Sequence, residues 1–270
     1  MSPHPPRREP ILNLPAVISL SLVVLVGIHI VRMFLTEETD FDLMLDWAVI
    51  PARWSVAFGG IRPEEVVRSL QESMPEEMQS SLAMLAQYIL GEGEGRPLTA
   101  LSYAFLHGSW AHVLINCVWL AAFGTPIAKR CGAGRFLALS AAAAVGGAVL
   151  YTWMNPLQIL PMVGASGAVS GLMAAASWFM FAPAAWHPSG RIALAHEKPR
   201  ETLVDMARNR QVLIFLGVWF AANYLFAVTQ PFGAGDAIIA WEAHVGGFLV
   251  GLAIFPLLDP LPSRSGRISA

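Results

Sequence analysis

The stretch Met162-Val163-Gly164-Ala165-Ser166-Gly167-Ala168-Val169-Ser170-Gly171-Leu172-Met173-Ala174-Ala175-Ala176-Ser177-Trp178-Phe179-Met180-Phe181 decides how this chain is read. It carries no charged residue and matches the roughly 17–25 residues that a membrane-crossing helix needs. Near its start, a serine sits among small residues as Gly164-Ala165-Ser166-Gly167. Polar groups in hydrocarbon cost free energy unless they have partners or a function. A second apolar run, Ala237–Leu258, carries Ala243-His244-Val245-Gly246-Gly247 near its own start. A serine and a histidine on two separate runs are a candidate nucleophile and base, and hence a candidate membrane-embedded hydrolase.

Outward from these two runs, four more complete the pattern: Ile11–Leu35, Leu101–Gly124, Phe136–Met154 and Val212–Val228. The expected fold is an all-α polytopic membrane protein with a bundle of six transmembrane helices. Only 13% of the residues are charged, against about 25% in soluble domains. No basic tract of the kind that binds nucleic acid is present. The first run exceeds the roughly 7–15 apolar residues of a cleavable signal peptide, and no Ala-x-Ala-like site follows it, so it is read as a span. Cys117 and Cys131 are the only cysteines, which argues against a disulfide framework.

Charge placement orients the bundle. With six spans, Arg7, Arg8, Lys129, Arg130, Arg135, Arg191, Lys198, Arg200, Arg208, Arg210, Arg264 and Arg267 fall on one side. The other side holds Arg53, Arg62, Arg68 and Arg96, with Arg32 at the end of the first span. The excess of Lys and Arg marks the cytoplasmic side. The organisation expected is a cytoplasmic amino tail 1–10, a membrane domain 11–258 with a long acidic outer loop 36–97, and a cytoplasmic carboxyl tail 259–270. The setting is a bacterial-type plasma membrane. Within the loop, Met78, Leu82, Leu85 and Ile89 recur at helical spacing over Pro75 to Leu90. That helix lies either on the outer membrane surface or on the protein itself. Gly91-Glu92-Gly93-Glu94-Gly95 breaks it.

This topology brings polar residues to one depth. Ser166, His244, His112 and Asn116 lie near the outer ends of three spans that all run inward. Ser166 stands where loop becomes helix, so free N–H groups and the helix dipole favour a developing oxyanion beside it. His244 would act as general base. Gly247 and Gly251 follow it on one helix face, and Gly167 and Gly171 offer a matching smooth stripe on the fourth span; Gly164 permits close backbone approach. His112 and Asn116, at i and i+4, share a face and suit either an oxyanion hole or interhelical hydrogen bonding. His107 precedes them and suits support of the loop or of helix packing. His107, His112 and His244 would also make a three-nitrogen metal site, but no His-Glu-x-x-His motif accompanies them. No metal is expected. Asp236 lies on the correct side without anything to place it on His244, so a Ser–His dyad is the simpler reading.

Taken together, His112-Val113-Leu114-Ile115-Asn116, Gly164-Ala165-Ser166-Gly167 and Ala243-His244-Val245-Gly246-Gly247-Phe248-Leu249-Val250-Gly251 resemble the rhomboid intramembrane serine proteases. Phe123-Gly124 and the turn Lys129-Arg130-Cys131-Gly132 are similar to that family's connection after its second span. The resemblance implies a Ser166 nucleophile, a His244 base, and an oxyanion hole of the Ser166 backbone N–H with His112 and Asn116. It implies transmembrane protein substrates with small or helix-breaking residues near the cut, a gate and cap from the fifth span and the loop before His244, and no cofactor. Two departures stand out. Ser170 occupies a position that is often aromatic in the family, and Arg53-Trp54 reverses a Trp-Arg pair. The alternative is a catalytically silent relative that binds membrane clients. A small-solute transporter is more distant, because no internal repeat is present.

Overall fold

The computed structural model describes residues 13–73, 75–91, 95–229 and 240–261. Each of the six apolar runs contains a helix, and the elements come in the order α1 (Ala16–Arg32), α2 (Glu37–Trp47), α3 (Pro51–Phe58), α4 (Pro63–Ser73), α5 (Glu76–Leu90), α6 (Thr99–Ser102), α7 (Trp110–Trp119), α8 (Thr125–Cys131), α9 (Ala133–Met154), α10 (Ser166–Met180), α11 (Leu203–Arg208), α12 (Arg210–Thr229) and α13 (Trp241–Leu258). Among the described residues there is no strand, only the isolated bridges Val49 to Met162 and Trp186 to Ile192. Among the described residues three stretches are long and apolar enough to cross a membrane: Trp110–Cys131, Ala133–Met154 and Trp241–Leu258.

The second apolar run differs from its expected bounds of Leu101 to Gly124. Ser109 caps α7, its hydroxyl accepting the His112 N–H at 3.2 Å, so the long helix starts only at Trp110. It then runs on through a π turn, Leu120–Gly124, into α8, where a loop is expected. Pro126 has no N–H and would clash with a carbonyl four residues back in an ordinary helix. The wider π turn just before it relieves that conflict.

Helix α10 is the hub. Every residue from Val169 to Phe179 is buried, which is why its sequence is apolar or small on all sides. With 15 residues it rises only about 22 Å, short of the roughly 30 Å of a hydrocarbon core. The backbone leading into its amino end, at Gly164 and Ala165, is buried in the protein. Irregular backbone at such depth must be satisfied by protein groups. It is: Gly164 donates its N–H to the Tyr103 carbonyl at 3.0 Å, and the Ala165 N–H reaches His107 Nε2 at 3.4 Å.

Helix α13 packs against both α9 and α10 at glycine-lined seams. A Cβ on Gly247 or Gly251 would collide with the carbonyl of Gly167 or Gly171 on α10. On the other side, a Cβ on Gly147 of α9 would meet the Ala243 carbonyl at 2.7 Å.

The outer loop is more structured than one stripe suggests, with four helices, α2 to α5. Leu82, Leu85 and Ile89 face a small core with Leu45, Ile50, Val66 and Ile159, while Met78 is exposed. The stripe thus packs on the protein rather than lying on a bilayer. Arg53 is buried and donates to the Leu45 carbonyl at 2.5 Å and the Ile89 carbonyl at 3.2 Å. These carbonyls belong to the last turns of α2 and α5, which lack intrahelical donors.

Candidate active site

Ser166 is the first residue of α10, and His244 lies in the first turn of α13. Their side chains meet: His244 Nε2 is 2.7 Å from Ser166 Oγ. This is hydrogen-bond reach for a base and the proton it takes. The glycine seams make the meeting possible, because they let the α10 and α13 backbones touch directly.

The approach to Ser166 is shaped by Gly164, whose φ of +122° is a conformation that side-chain-bearing residues rarely adopt. A Cβ there would stand 2.7 Å from His112 Nε2 and 3.8 Å from Ser166 Oγ. The imidazole of His112 therefore closes over the Gly164 backbone beside the serine. Asn116 is buried one turn further along α7 and gives one amide N–H to the His112 carbonyl at 2.9 Å. Its other amide N–H is left for a different acceptor. His107, also buried, stacks edge-on against His112 with ring centroids 5.0 Å apart. Ser170 points back along α10 and donates its hydroxyl to the Ser166 carbonyl at 2.7 Å. Among the described residues no aromatic ring stacks on His244, and no group of three His, Cys, Asp or Glu is arranged to hold a metal ion.

One partner of His244 lies outside the expected set. Asn223 on α12 places its Oδ1 on His244 Nδ1 in a hydrogen bond. The same amide donates from Nδ2 to the Trp219 carbonyl at 2.9 Å. That second bond fixes which way the amide points: a flip would set two acceptors against each other. Oδ1 therefore accepts, Nδ1 carries the proton, and Nε2 is free to accept from Ser166 Oγ. Asn223 thus adds a contact to His244 that the expected Ser–His pair does not include. The available signal was a lone asparagine four residues after Trp219 in an otherwise apolar run, and nothing in sequence ties that position to α13. Glu242 is turned elsewhere, its carboxylate accepting from Asn155 Nδ2 at 3.2 Å. Asp236 and the loop before α13 lie outside the described residues.

Fold and site together define an all-α membrane protein whose helical core holds a serine–histidine pair oriented by an amide. The family profile described as Rhomboid domain matches residues 94–259, more than half of the chain, and the chain belongs to the rhomboid family. It is 27% identical over 151 residues to Rhomboid protease GlpG of Pectobacterium atrosepticum, covering 56% of this chain and 45% of that protein. With Rhomboid protease GlpG of Klebsiella pneumoniae the identity is 28% over 164 residues, covering 60% and 49%. With that of Yersinia pestis it is 29% over 155 residues, covering 56% and 45%. The chain spans about half the length of the curated relatives it matches.

Proposed function

We propose that this protein is an intramembrane serine endopeptidase that cleaves transmembrane segments of membrane proteins. The observation that carries the reading is the 2.7 Å approach of His244 Nε2 to Ser166 Oγ at the start of α10. In the proposed reaction, Oγ attacks the scissile carbonyl carbon while its proton passes to Nε2. The tetrahedral oxyanion collects against the free Ser166 N–H, with His112 and Asn116 as further donors. Its collapse breaks the C–N bond, and the imidazolium returns the proton to the leaving amine. Water, deprotonated by the same imidazole, then hydrolyses the acyl-enzyme. No cofactor takes part.

The proposed setting is a six-span bundle in a bacterial inner membrane with both termini in the cytoplasm. The concentration of Lys and Arg on the side of the 182–211 loop supports that orientation. Purified protein with an engineered transmembrane substrate tests the activity. Ser166→Ala and His244→Ala should each abolish cleavage and fluorophosphonate labelling at an unchanged melting temperature. The double variant should be little worse, because nucleophile and base act as one unit. Cleavage that persists in Ser166→Ala would sink the serine mechanism.

A further inference from the structure

Ser166 and His244 ride on α10 and α13, which are locked backbone to backbone. Asn223 rides on a different helix. On α12, Trp219 and Asn223 are one turn apart; on α13, so are His244 and Phe248. The two helices pair these positions in antiparallel register. Trp219 stacks on Phe248 with centroids 5.2 Å apart and planes 23° from parallel, and Asn223 meets His244 one turn on. Phe220 closes on the other edge of Phe248 at 5.7 Å. The aromatic contact sets the register, and the register delivers the amide to the imidazole.

Resting on the reading of Ser166 and His244 as nucleophile and base, we infer that Asn223 is the positioning residue of a Ser166–His244–Asn223 triad, holding His244 in the reactive tautomer only while α12 is seated on α13. An imidazole that loses the partner on one nitrogen is free to rotate and to move its proton to the other. With the proton on Nε2, the ring no longer accepts from Ser166, and the nucleophile is not activated. A neutral amide can do this work because it needs only to accept one N–H. Ser170, one turn after the nucleophile, is engaged with the Ser166 carbonyl and gives the ring no support. The amide bond and the aromatic register therefore carry the orientation.

The titratable side chain facing the pair from a neighbouring helix is His112 on α7, which closes over Gly164. On α10 the facing group is the Ser166 hydroxyl, on α12 it is the neutral Asn223, and Glu242 of α13 is turned to Asn155, just after α9. No carboxylate among these touches His244, so adding one at position 223 gives a clean signal.

The test compares wild type, Asn223→Ala, Asn223→Asp and Ser166→Ala in one detergent, reading kcat, KM, the pH profile of kcat/KM and melting. Asn223→Ala should lower kcat by roughly 10²-fold with KM little changed, as expected when a reacting group is misplaced by about 1 Å. Asn223→Asp keeps an acceptor and should restore much of kcat. Its carboxylate favours the protonated ring, so the acid limb of the profile should move to higher pH. A residue that serves only to hold the fold would not produce that shift. If Asn223→Ala melts early, the Asp profile decides. Wild-type kcat in Asn223→Ala, or an unmoved acid limb in Asn223→Asp, would overturn the inference. A wild-type protein that neither cleaves nor labels at Ser166 would instead overturn the protease reading itself.

Discussion

Gly251 of α13 lies directly on the backbone of Gly171 in α10: a methyl group at position 251 would collide with the Gly171 carbonyl oxygen, Cα and carbonyl carbon. Backbone atoms cannot rotate away as a flexible side chain can. Overpacking of this kind costs about 1–3 kcal/mol. Gly251→Val should lose most activity and melt at lower temperature, although it touches neither Ser166 nor His244. Gly251→Ala should show the same two effects to a smaller degree. Substrate cleavage and a melting curve in the same detergent check this, and wild-type behaviour of the valine variant would mean that α13 sits elsewhere.

The two oxyanion donors proposed on α7 should behave differently from the proposed dyad. His112→Ala and Asn116→Ala should each slow turnover by roughly 10²–10³, the usual cost of one lost oxyanion donor. The Ser166 N–H remains in both, so slow fluorophosphonate labelling should persist. His112 closes over Gly164 beside the serine, whereas Asn116 spends one N–H on its own helix. Unchanged kcat in both variants would reassign the pair to interhelical hydrogen bonding.

At the far end of the bundle, Arg130 and Asp259 form two bonds of 2.8 Å, with both side chains fully shielded. Arg130 also donates to the carbonyls of His196 and Lys198 and lies 4.5 Å over the Phe179 ring. Removing one partner of a buried pair costs about 3–5 kcal/mol, because the other charge is stranded. Arg130→Met should therefore lower the melting temperature sharply, since Arg200, at 3.5 Å from Asp259, is a poor replacement. The double variant Arg130→Met with Asp259→Leu should recover much of the loss. A double variant no more stable than the single one would show that the pair is worth more than its desolvation.

The loop between α10 and α11 contains a pH-dependent contact. Arg191 grips Glu197 at 2.6 and 2.7 Å, and the Leu194 N–H adds a bond at 2.8 Å. The Arg191 hydrogen bond above all, then the Leu194 N–H, hold the Glu197 carboxyl at about 2, below its ordinary 4.5. A depressed carboxylate contributes fully above its unfolded value and loses that contribution as pH falls through the folded one. The contact should hold at pH 5 and loosen between roughly pH 4 and 2. A carbon NMR titration of the Glu197 carboxyl measures this directly. A midpoint at the ordinary glutamate value would mean that the grip is not populated in solution.

Much of the fold is legible because membrane-length apolar runs leave the backbone few choices: a helix satisfies its own polar groups, and little else can in hydrocarbon. The serine and histidine motifs stand out for the same reason, as polar residues where polarity is costly. The π turn before Pro126 was not legible, because a proline in an apolar run reads as a break, whereas a wider turn absorbs it. The four helices of the outer loop were also hidden. Their apolar residues meet in a core assembled from α2 to α5 and Ile159, and no single periodic stripe displays that.

By itself, then, the sequence determined the helical runs, the glycine faces and the two polar side chains, Ser166 and His244, that stand out in them, all properties of local pattern in a low-dielectric solvent. Only the tertiary structure decided that Asn223 meets His244. A lone asparagine carries no address. Its partner is set by the antiparallel register of α12 on α13, which the Trp219–Phe248 stack establishes across the helix interface. Contacts between helices depend on which faces dock and in what register, and that is a property of the packed bundle rather than of any one segment.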